Sequence, residues 1–511
     1  MLGRTNSVML YGTNGLMVQV ECDVSNGLPC FQMVGYLGAE VKEAKERVIA
    51  ALKNCDLKLP AKKVTLNLMP AGIHKNGTGF DLAIAVALVV AYGFYGCKEL
   101  EQVVLLGEVG LDGGVRKING ILPMVIAARK KGYRHFIVAL ENAKEASLIE
   151  GIHVLGIQSL KQLFEILEKG GLLSFIEKEG KVSSVEESFI NRDLPDFSMI
   201  KGQAFAKRAL EVAAGGMHNI LLVGPPGNGK TMMAKAMAGI LPKLSYEETL
   251  EVTSVYSIYG NINDRVGLFD EAPFRNPHYK ITAKGLLGGG TPVRPGEIGL
   301  ANRGILYLDE LPEFSGDVLE GLRMPLEEKK VTIARAGGTY TYPANICLVA
   351  SMNPCPCGYF PNPAKCKCTD YSIQRYLQKI SGPLLDRIDM CIHVSEVSYE
   401  HLVKDDHLET SKDIRERVIK VRALQRQRFE NEGISLNSEM RMEEINRFCQ
   451  LSKEMTEFMD DIYHKMNLTA RSYHKVLKVA RTIADMEGHK EICQSDLSEA
   501  IMYREDIKSW R

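Results

Sequence analysis

Apolar and polar positions along the 511-residue chain follow three successive regimes. Up to about Lys169, short alternating runs mix with helical ones. "SVMLYG" and "LMVQVEC" flank "TNG", the signal of a hairpin. "AEVKEAKERVIAALKNC" puts Val41, Ala44, Val48 and Leu52 on one helical face. "KVTLNLMP" and "VVLLGEVGL" read as strands, "DLAIAVALVVAY" as a buried helix, and "LPMVIAARKKG" as a helix closed by glycine. Between Gly170 and Asp196 the pattern dissolves into "EKEGKVSSVEES", which reads as a linker. From Phe197, apolar strands ("NILLVG", "GILYLDE", "NICLVASMN") alternate with helical runs and end near "DRIDMCIHV", which predicts a parallel sheet with crossover helices. Beyond Tyr399 only amphipathic helices rich in Lys, Glu and Met are evident.

The expected division is therefore 1–170, an α+β unit; 171–196, a linker; 197–398, a parallel α/β core; and 399–511, an all-helical lid. That number of units suits a chain too long for one ordinary core. Composition is globular, with 45% hydrophobic and 25% charged residues. The formal net charge is zero, so any nucleic-acid surface must be local. "MLGRTNSVML" lacks the apolar core of a signal peptide, and the longest uncharged apolar stretch, Leu82 to Cys97, is short for a membrane span. The expectation is a cytoplasmic protein in a reducing compartment, where clustered cysteines point to metal before disulfide.

"GPPGNGKT" fits the phosphate-loop pattern at every fixed position, with a strand before it and a helix after it. Its glycines let backbone N–H groups close around phosphates, and the helix N-terminus faces their charge. The expected ATP contacts run through Gly224, Pro225, Pro226, Gly227, Asn228, Gly229, Lys230, Thr231 and Met232. Lys230 would reach the β- and γ-phosphates, and Thr231 with Asp309 would hold Mg²⁺. Glu310, beside Asp309 at the end of "GILYLDE", is placed to activate water.

Four of the twelve cysteines, Cys355, Cys357, Cys366 and Cys368, form two Cys-x-Cys pairs in "NPCPCGYFPNPAKCKC". Four thiolates can hold tetrahedral Zn²⁺ and cross-link a loop too short and polar to build a core. The tight Cys-x-Cys spacing predicts strained ligand pairs or binding through only some of the four, and the alternative to a metal site is four free thiols. Lys365, Lys367, Arg375 and Lys379, interleaved with Tyr359, Phe360 and Tyr371, suit single-stranded or junction DNA; they equally suit a solvated loop with small apolar anchors.

The core resembles AAA+ ATPases. That resemblance places Ile200 and Gly202 of "DFSMIKGQ" at adenine and makes Asn353 the polar sensor of the attacking water. It makes Arg387 of "GPLLDRID" a finger for the neighbouring subunit's nucleotide, and Arg471 of "LTARSYHKVL" a second sensor. Either arginine could instead be in a surface salt bridge. A finger acting in trans implies a ring, expected to be a homo-hexamer. "PFRNPHYKITAKGLLGGGTPVRPGEIGLANRG", whose Gly288, Gly289 and Gly290 suit a flexible loop, and "VTIARAGGTYTYP", a projecting hairpin carrying Arg335, resemble the insertions of the magnesium chelatase I-subunit branch, which includes the MCM helicases. Both are candidate DNA contacts.

Longer segments are similar to the ComM (YifB) family of magnesium chelatase-like proteins: "FQMVGYLGAEVKEAKERVIAAL", "GGGTPVRPGEIGLANRGILYLDELPEF", "NPCPCG", "GPLLDRIDM" and "ARTIADMEG". That resemblance implies a hexameric ATPase that binds DNA and drives branch migration in recombination or transformation. Two other readings are a chelatase-like ATPase that remodels a protein partner and a non-enzymatic scaffold; intact Lys230, Asp309 and Glu310 speak against the second. Residues 1–170 resemble the Lon protease domain, of S5 domain 2-like fold. There the catalytic serine and lysine positions carry Gly79 and Leu122, and Thr78 stands beside the first. The resemblance implies no peptidase activity, because neither residue supplies a nucleophile or a base.

Overall fold

The computed structural model describes residues 2–96, 98–180, 194–260, 267–335, 337–396 and 409–504. The centre of the expected linker, the first residues of the expected lid and the last seven residues lie outside that set.

The N-terminal region is built on strands β1 (Leu2–Tyr11), β2 (Asn14–Ser25), β3 (Cys30–Val34), β4 (Lys63–Met69), β5 (Val103–Leu106), β6 (Glu108–Val109), β7 (Val115–Arg116), β8 (His135–Ala139) and β9 (His153–Ile157). Seven of them form one sheet in the order β3-β4-β2-β1-β5-β8-β9. β1 and β2 pair antiparallel with Tyr11 opposite Asn14, so the turn is Gly12–Thr13, and only the first residue of "TNG" lies in it. Gly12 supplies the positive φ of +64° that the turn needs. Helix Ala39–Asn54 buries Val41, Ala44, Val48 and Leu52, the expected face. Helix Asp81–Ala91 is buried at every position, which is why its sequence shows no amphipathic stripe.

The expected linker needs correction at its start. Leu172–Glu179 is a helix whose Leu172 and Ile176, one turn apart, are buried in the N-terminal core. Flanking glycines and a charged end conceal that short apolar face in the sequence.

The central region carries β10 (Ile220–Val223), β11 (Phe274–Arg275), β12 (Gly288–Gly289), β13 (Arg294–Pro295), β14 (Ile305–Leu308), β15 (Lys330–Arg335), β16 (Gly338–Pro343), β17 (Cys347–Met352) and β18 (Met390–His393). Five run parallel in the order β11-β14-β17-β10-β18. β10, β14 and β17 are buried at every position, so both faces are covered and the strands read as continuous apolar runs. One face packs directly on the C-terminal helices: Val418, Phe429, Val476, Leu477 and Ile483 share a core with Ile220, Leu222 and Met390. The described part of that C-terminal region is helical, including Ser411–Arg428, Lys453–Lys465, Ala470–Glu487 and Gln494–Met502. No described helix is long and apolar enough to cross a membrane.

Both insertions differ from their expected form. The Gly288–Gly290 run is not a free loop: β12 pairs antiparallel with β13. Gly288, at φ +108°, comes so near Arg294 that a Cβ would lie 2.5 Å from the Arg294 carbonyl oxygen. The β15–β16 hairpin does not project freely either. Its Thr339 N–H donates to Tyr11 Oη at 2.9 Å, and its Tyr340 ring lies 5.4 Å from that of Tyr11. Gly338 has φ +136°, and a Cβ there would sit 2.5 Å from Tyr11 Oη; a Cβ on Gly12 would sit 2.5 Å from the Thr341 carbonyl oxygen. Glycine on each side allows the approach, Gly12 to the Thr341 backbone and Gly338 to the Tyr11 side chain. A second contact joins the same regions, where the Gly120 N–H donates to the Ser257 carbonyl at 3.0 Å and Ser257 Oγ bonds buried Glu145.

A Gly338→Val substitution should therefore unseat the hairpin from the N-terminal region at a cost of about 1–3 kcal/mol. Hydrogen exchange is expected to rise in β15–β16 and around Tyr11, with the central five-stranded sheet unchanged.

Candidate functional site

The carboxyl ends of β10, β14 and β17 converge on one crevice, where ligands enter open α/β sheets. From the end of β10 the chain enters Gly224–Gly229, and helix Lys230–Gly239 follows at once. The Gly224 N–H donates to the Met352 carbonyl at 3.2 Å, and its α-carbon abuts the Val394 carbonyl so closely that a Cβ has no room. Gly227 and Gly229 take φ +83° and +77°, left-handed turns that leave the loop amides ahead of the helix without side-chain cover.

Lys230 is buried and its ammonium is turned onto the loop. Nζ donates to Gly224 O at 2.6 Å, Pro225 O at 2.9 Å and Asn353 Oδ1 at 3.2 Å. Burial brings its pKa down to about 8, against the opposing pull of Asp309 and Glu310. Thr231 Oγ1 donates to Asp309 Oδ2 at 3.0 Å. The other oxygen of Asp309 accepts from the Glu310 N–H at 3.1 Å and from Ser351 Oγ. Tyr307 Oη lies 3.2 Å from Thr231 Oγ1 and 3.0 Å from Ser351 Oγ. Glu310 is exposed at the crevice and held at φ +53°, a strained conformation for a residue with a side chain. Loop amides, an ammonium, a hydroxyl–carboxylate pair and a second, exposed carboxylate thus meet at one place.

Tyr307 and Ser351 escaped the sequence reading. The usable signal was a tyrosine inside an otherwise aliphatic strand, since a buried hydroxyl needs a partner. Ile200 lies in the core beside the C-terminal helices, and Gly202 has a positive φ of +64° next to it. Met232 packs at the edge of the same core.

Arg387 and Arg471 come together, apart from the crevice residues. Arg387 donates to Arg323 O and Pro383 O, each at 2.9 Å, and its third nitrogen meets Glu327. Arg471 donates to the other Glu327 oxygen at 2.6 Å. Among the described residues neither bonds Lys230, Thr231 or Asp309. Both line a cavity of about 1080 Å³ between the central and C-terminal regions. Glu327 had no sequence signal: it is one acid in the charged run "LEEKK".

The four clustered thiols converge. Sγ–Sγ separations are 3.3 Å for Cys355–Cys357, 3.8 Å for Cys355–Cys366 and 3.6 Å for Cys357–Cys366, with all four sulfurs within 4.8 Å of one another. Zinc–sulfur bonds of about 2.3 Å require sulfurs about 3.8 Å apart in a tetrahedron, so the set fits such an ion, with the Cys-x-Cys pair the tightest. Crowding splits the thiols: the Tyr359 amide, chiefly, draws Cys357 down, while Cys366 and Cys368 are pushed up, in part by their sulfur neighbours. Of the basic residues around the cluster, Lys365 pairs with Glu396 and Lys379 with Glu313, each at 3.0 Å, while Lys367 and Arg375 are exposed. Among the insertions, Gly289 and Arg335 are neighbours: a Cβ on Gly289 would lie 3.3 Å from Arg335 Nη2 and 3.0 Å from Lys284 Cγ.

The model of the magnesium chelatase subunit ChlI matches residues 196–402, with further ChlI models over 20–142 and over the C-terminal 408–504. The fold and crevice are accordingly those of a chelatase-like AAA+ ATPase, with an N-terminal α/β region and a C-terminal helical region. Competence protein ComM of Haemophilus influenzae is 40% identical over 501 residues, 97% of this chain and 96% of its own. The protein YifB of Escherichia coli is 38% identical over 494 residues, 96% of this chain and 95% of its own. Lon protease 2 of Bacillus subtilis is 24% identical over 183 residues, 32% of either chain. This chain belongs to the ComM/YifB family, whose AAA+ core implies ATP and Mg²⁺ as its ligands.

Gly224→Ala should leave the fold intact by circular dichroism. It should weaken a fluorescent ATP analogue by about tenfold or more, because the added methyl must displace the Val394 carbonyl and with it the loop.

Proposed function

We propose that this chain is the subunit of a hexameric, cytoplasmic, ATP-driven ring motor that grips DNA and moves branched junctions. The observation that carries this reading is the separation of two half-sites. Lys230, Thr231, Asp309 and Asn353 gather at the sheet edge, while Arg387 and Arg471 gather elsewhere on one carboxylate. A half-site that keeps its arginines away from its own phosphate loop suits a ring in which each chain completes its neighbour's site.

In this reading the loop amides and Lys230 hold the triphosphate, and Ile200 and Gly202 border the base. Thr231 and Asp309 hold magnesium, which neutralises phosphate charge. Glu310 takes a proton from the attacking water and Asn353 orients that water. Glu327 stands in for the anion that Arg387 and Arg471 meet in the assembly, where they stabilise charge on the leaving phosphates. Cys355, Cys357, Cys366 and Cys368 hold zinc as a cross-link. Arg335 and the glycines Gly288, Gly289 and Gly290 contact DNA, helped by Lys365 and Lys367; Lys365 must first leave Glu396. The name of the Haemophilus influenzae relative, a competence protein, is in keeping with a DNA role.

The N-terminal region is read as a Lon-like domain without peptidase activity. Gly79 offers no side chain, Leu122 is buried, and Thr78 donates its hydroxyl to Glu108. Its contacts with the hairpin give it a supporting role.

The deciding experiment is migration of a synthetic four-way DNA junction by the purified protein. Movement should require ATP and vanish in Lys230→Ala. Glu310→Gln should keep ATP affinity within a few-fold while hydrolysis falls about 100-fold or more. No movement, with an ATPase rate indifferent to DNA, would replace the DNA motor with an ATPase that remodels a protein client. Acidity gives a second check. Binding needs the charged form of Lys230, so affinity is full below its pKa of about 8 and is lost above it. ATP should bind about tenfold more weakly at pH 9 than at pH 7.

A further inference from the structure

Directly after Asn353, the thiol loop folds back onto the phosphate loop. Gly358 takes φ +88°, and a Cβ there would lie 2.6 Å from Pro226 Cδ and 3.8 Å from Asn353 Cγ. Backbone of the thiol loop therefore rests against both the phosphate loop and the amide side chain that accepts from Lys230. A second arm reaches the other flank of the site. Lys365 bonds Glu396 at 3.0 Å, two residues past Val394, and the Val394 carbonyl accepts from Asn228 of the phosphate loop at 3.3 Å.

Short turns order parts of this loop, with the Asn362 N–H on the Tyr359 carbonyl and the Cys366 N–H on the Asn362 carbonyl, each at 2.8 Å, but it has no apolar core beyond its base. No residue from Pro361 to Asp370 is buried, whereas Cys355 is fully buried and receives the Phe360 N–H at 3.4 Å. A polar loop of this length keeps one conformation only if something cross-links it. Whatever fixes the four sulfurs therefore also fixes Gly358 against Pro226.

We propose that a thiophilic, tetrahedral divalent cation in the Cys355–Cys368 loop props the phosphate loop, so that metal occupancy sets the affinity for ATP. The proposal rests on the zinc reading above. It adds that the loop is the back wall of the nucleotide site, with Gly358 as a positioning residue, and it does not require contact with DNA. Loss of the metal releases Gly358 from Pro226 and Asn353, and the phosphate loop loses its preformed shape.

The test uses the full-length protein and two readouts: zinc content by plasma mass spectrometry and the Kd of a fluorescent ATP analogue at fixed Mg²⁺. About one zinc per chain is expected. Cys366→Ser with Cys368→Ser, which leaves Cys355 and the Gly358 contact chemically untouched, should lose the metal and weaken the analogue about tenfold. Zinc removed from the wild type by a chelator and then restored should return the affinity. Gly358→Ala should keep the zinc yet weaken the analogue by a similar factor, since its methyl pushes on Pro226. Zinc present in the wild type and lost in the variant, with affinity within twofold, would overturn the coupling and leave the zinc site standing. A wild type that takes up no zinc even when it is supplied would overturn both, while ATP hydrolysis dependent on Lys230 would remain. Should the cysteine variants misfold, removal and return of zinc on the wild type decide, and an affinity that stays within twofold throughout overturns the proposal.

Discussion

The carboxylate of Asp309 is the bond on which the rest of the site hangs. It accepts from Thr231, from Ser351 and from the Glu310 amide. These donors come from the helix after β10, from β17 and from the chain beyond β14 itself. The Thr231 and Ser351 bonds tie the ends of three neighbouring strands together at one carboxylate, in step with the register of their backbone pairing. With that register fixed, Asn353 emerges where it meets Lys230, and the thiol loop begins where it meets Pro226. Tyr307 closes the network from inside the sheet.

The parts of this molecule that a sequence discloses are those whose chemistry is local. The phosphate loop announces itself because glycine, lysine and threonine must stand at set intervals. Asp309 and Glu310 show because two acids end an aliphatic run. The face of helix Ala39–Asn54 is legible as a periodicity. What stayed hidden are meetings between distant segments: Glu327 with Arg387 and Arg471, Gly358 with Pro226, Tyr11 with the hairpin. Nothing near any of these residues in the chain marks the partner. The glycine run shows a related limit: Gly288–Gly290 looks like freedom in sequence and serves close approach in space.

The N-terminal region and the central region meet where a methyl group does not fit, at Gly12 and Gly338. Such a junction is specific, because only glycine fits it. It holds the β15–β16 hairpin from one side while the turn between β12 and β13 holds it from the other, through Tyr342 Oη on the Val293 carbonyl at 3.0 Å. The hairpin is therefore a part shared between regions, and its position reports on both.

The pairing at Glu327 also has an electrostatic consequence. Two guanidiniums against one carboxylate leave the three groups with a net charge of one, part of the cations' field being cancelled locally. Beyond a screening length of about 8 Å, salt screens what remains. In the ring proposed above, an anion that displaces the carboxylate would meet both cations at once, so discrimination would rest on the angle of docking more than on long-range attraction.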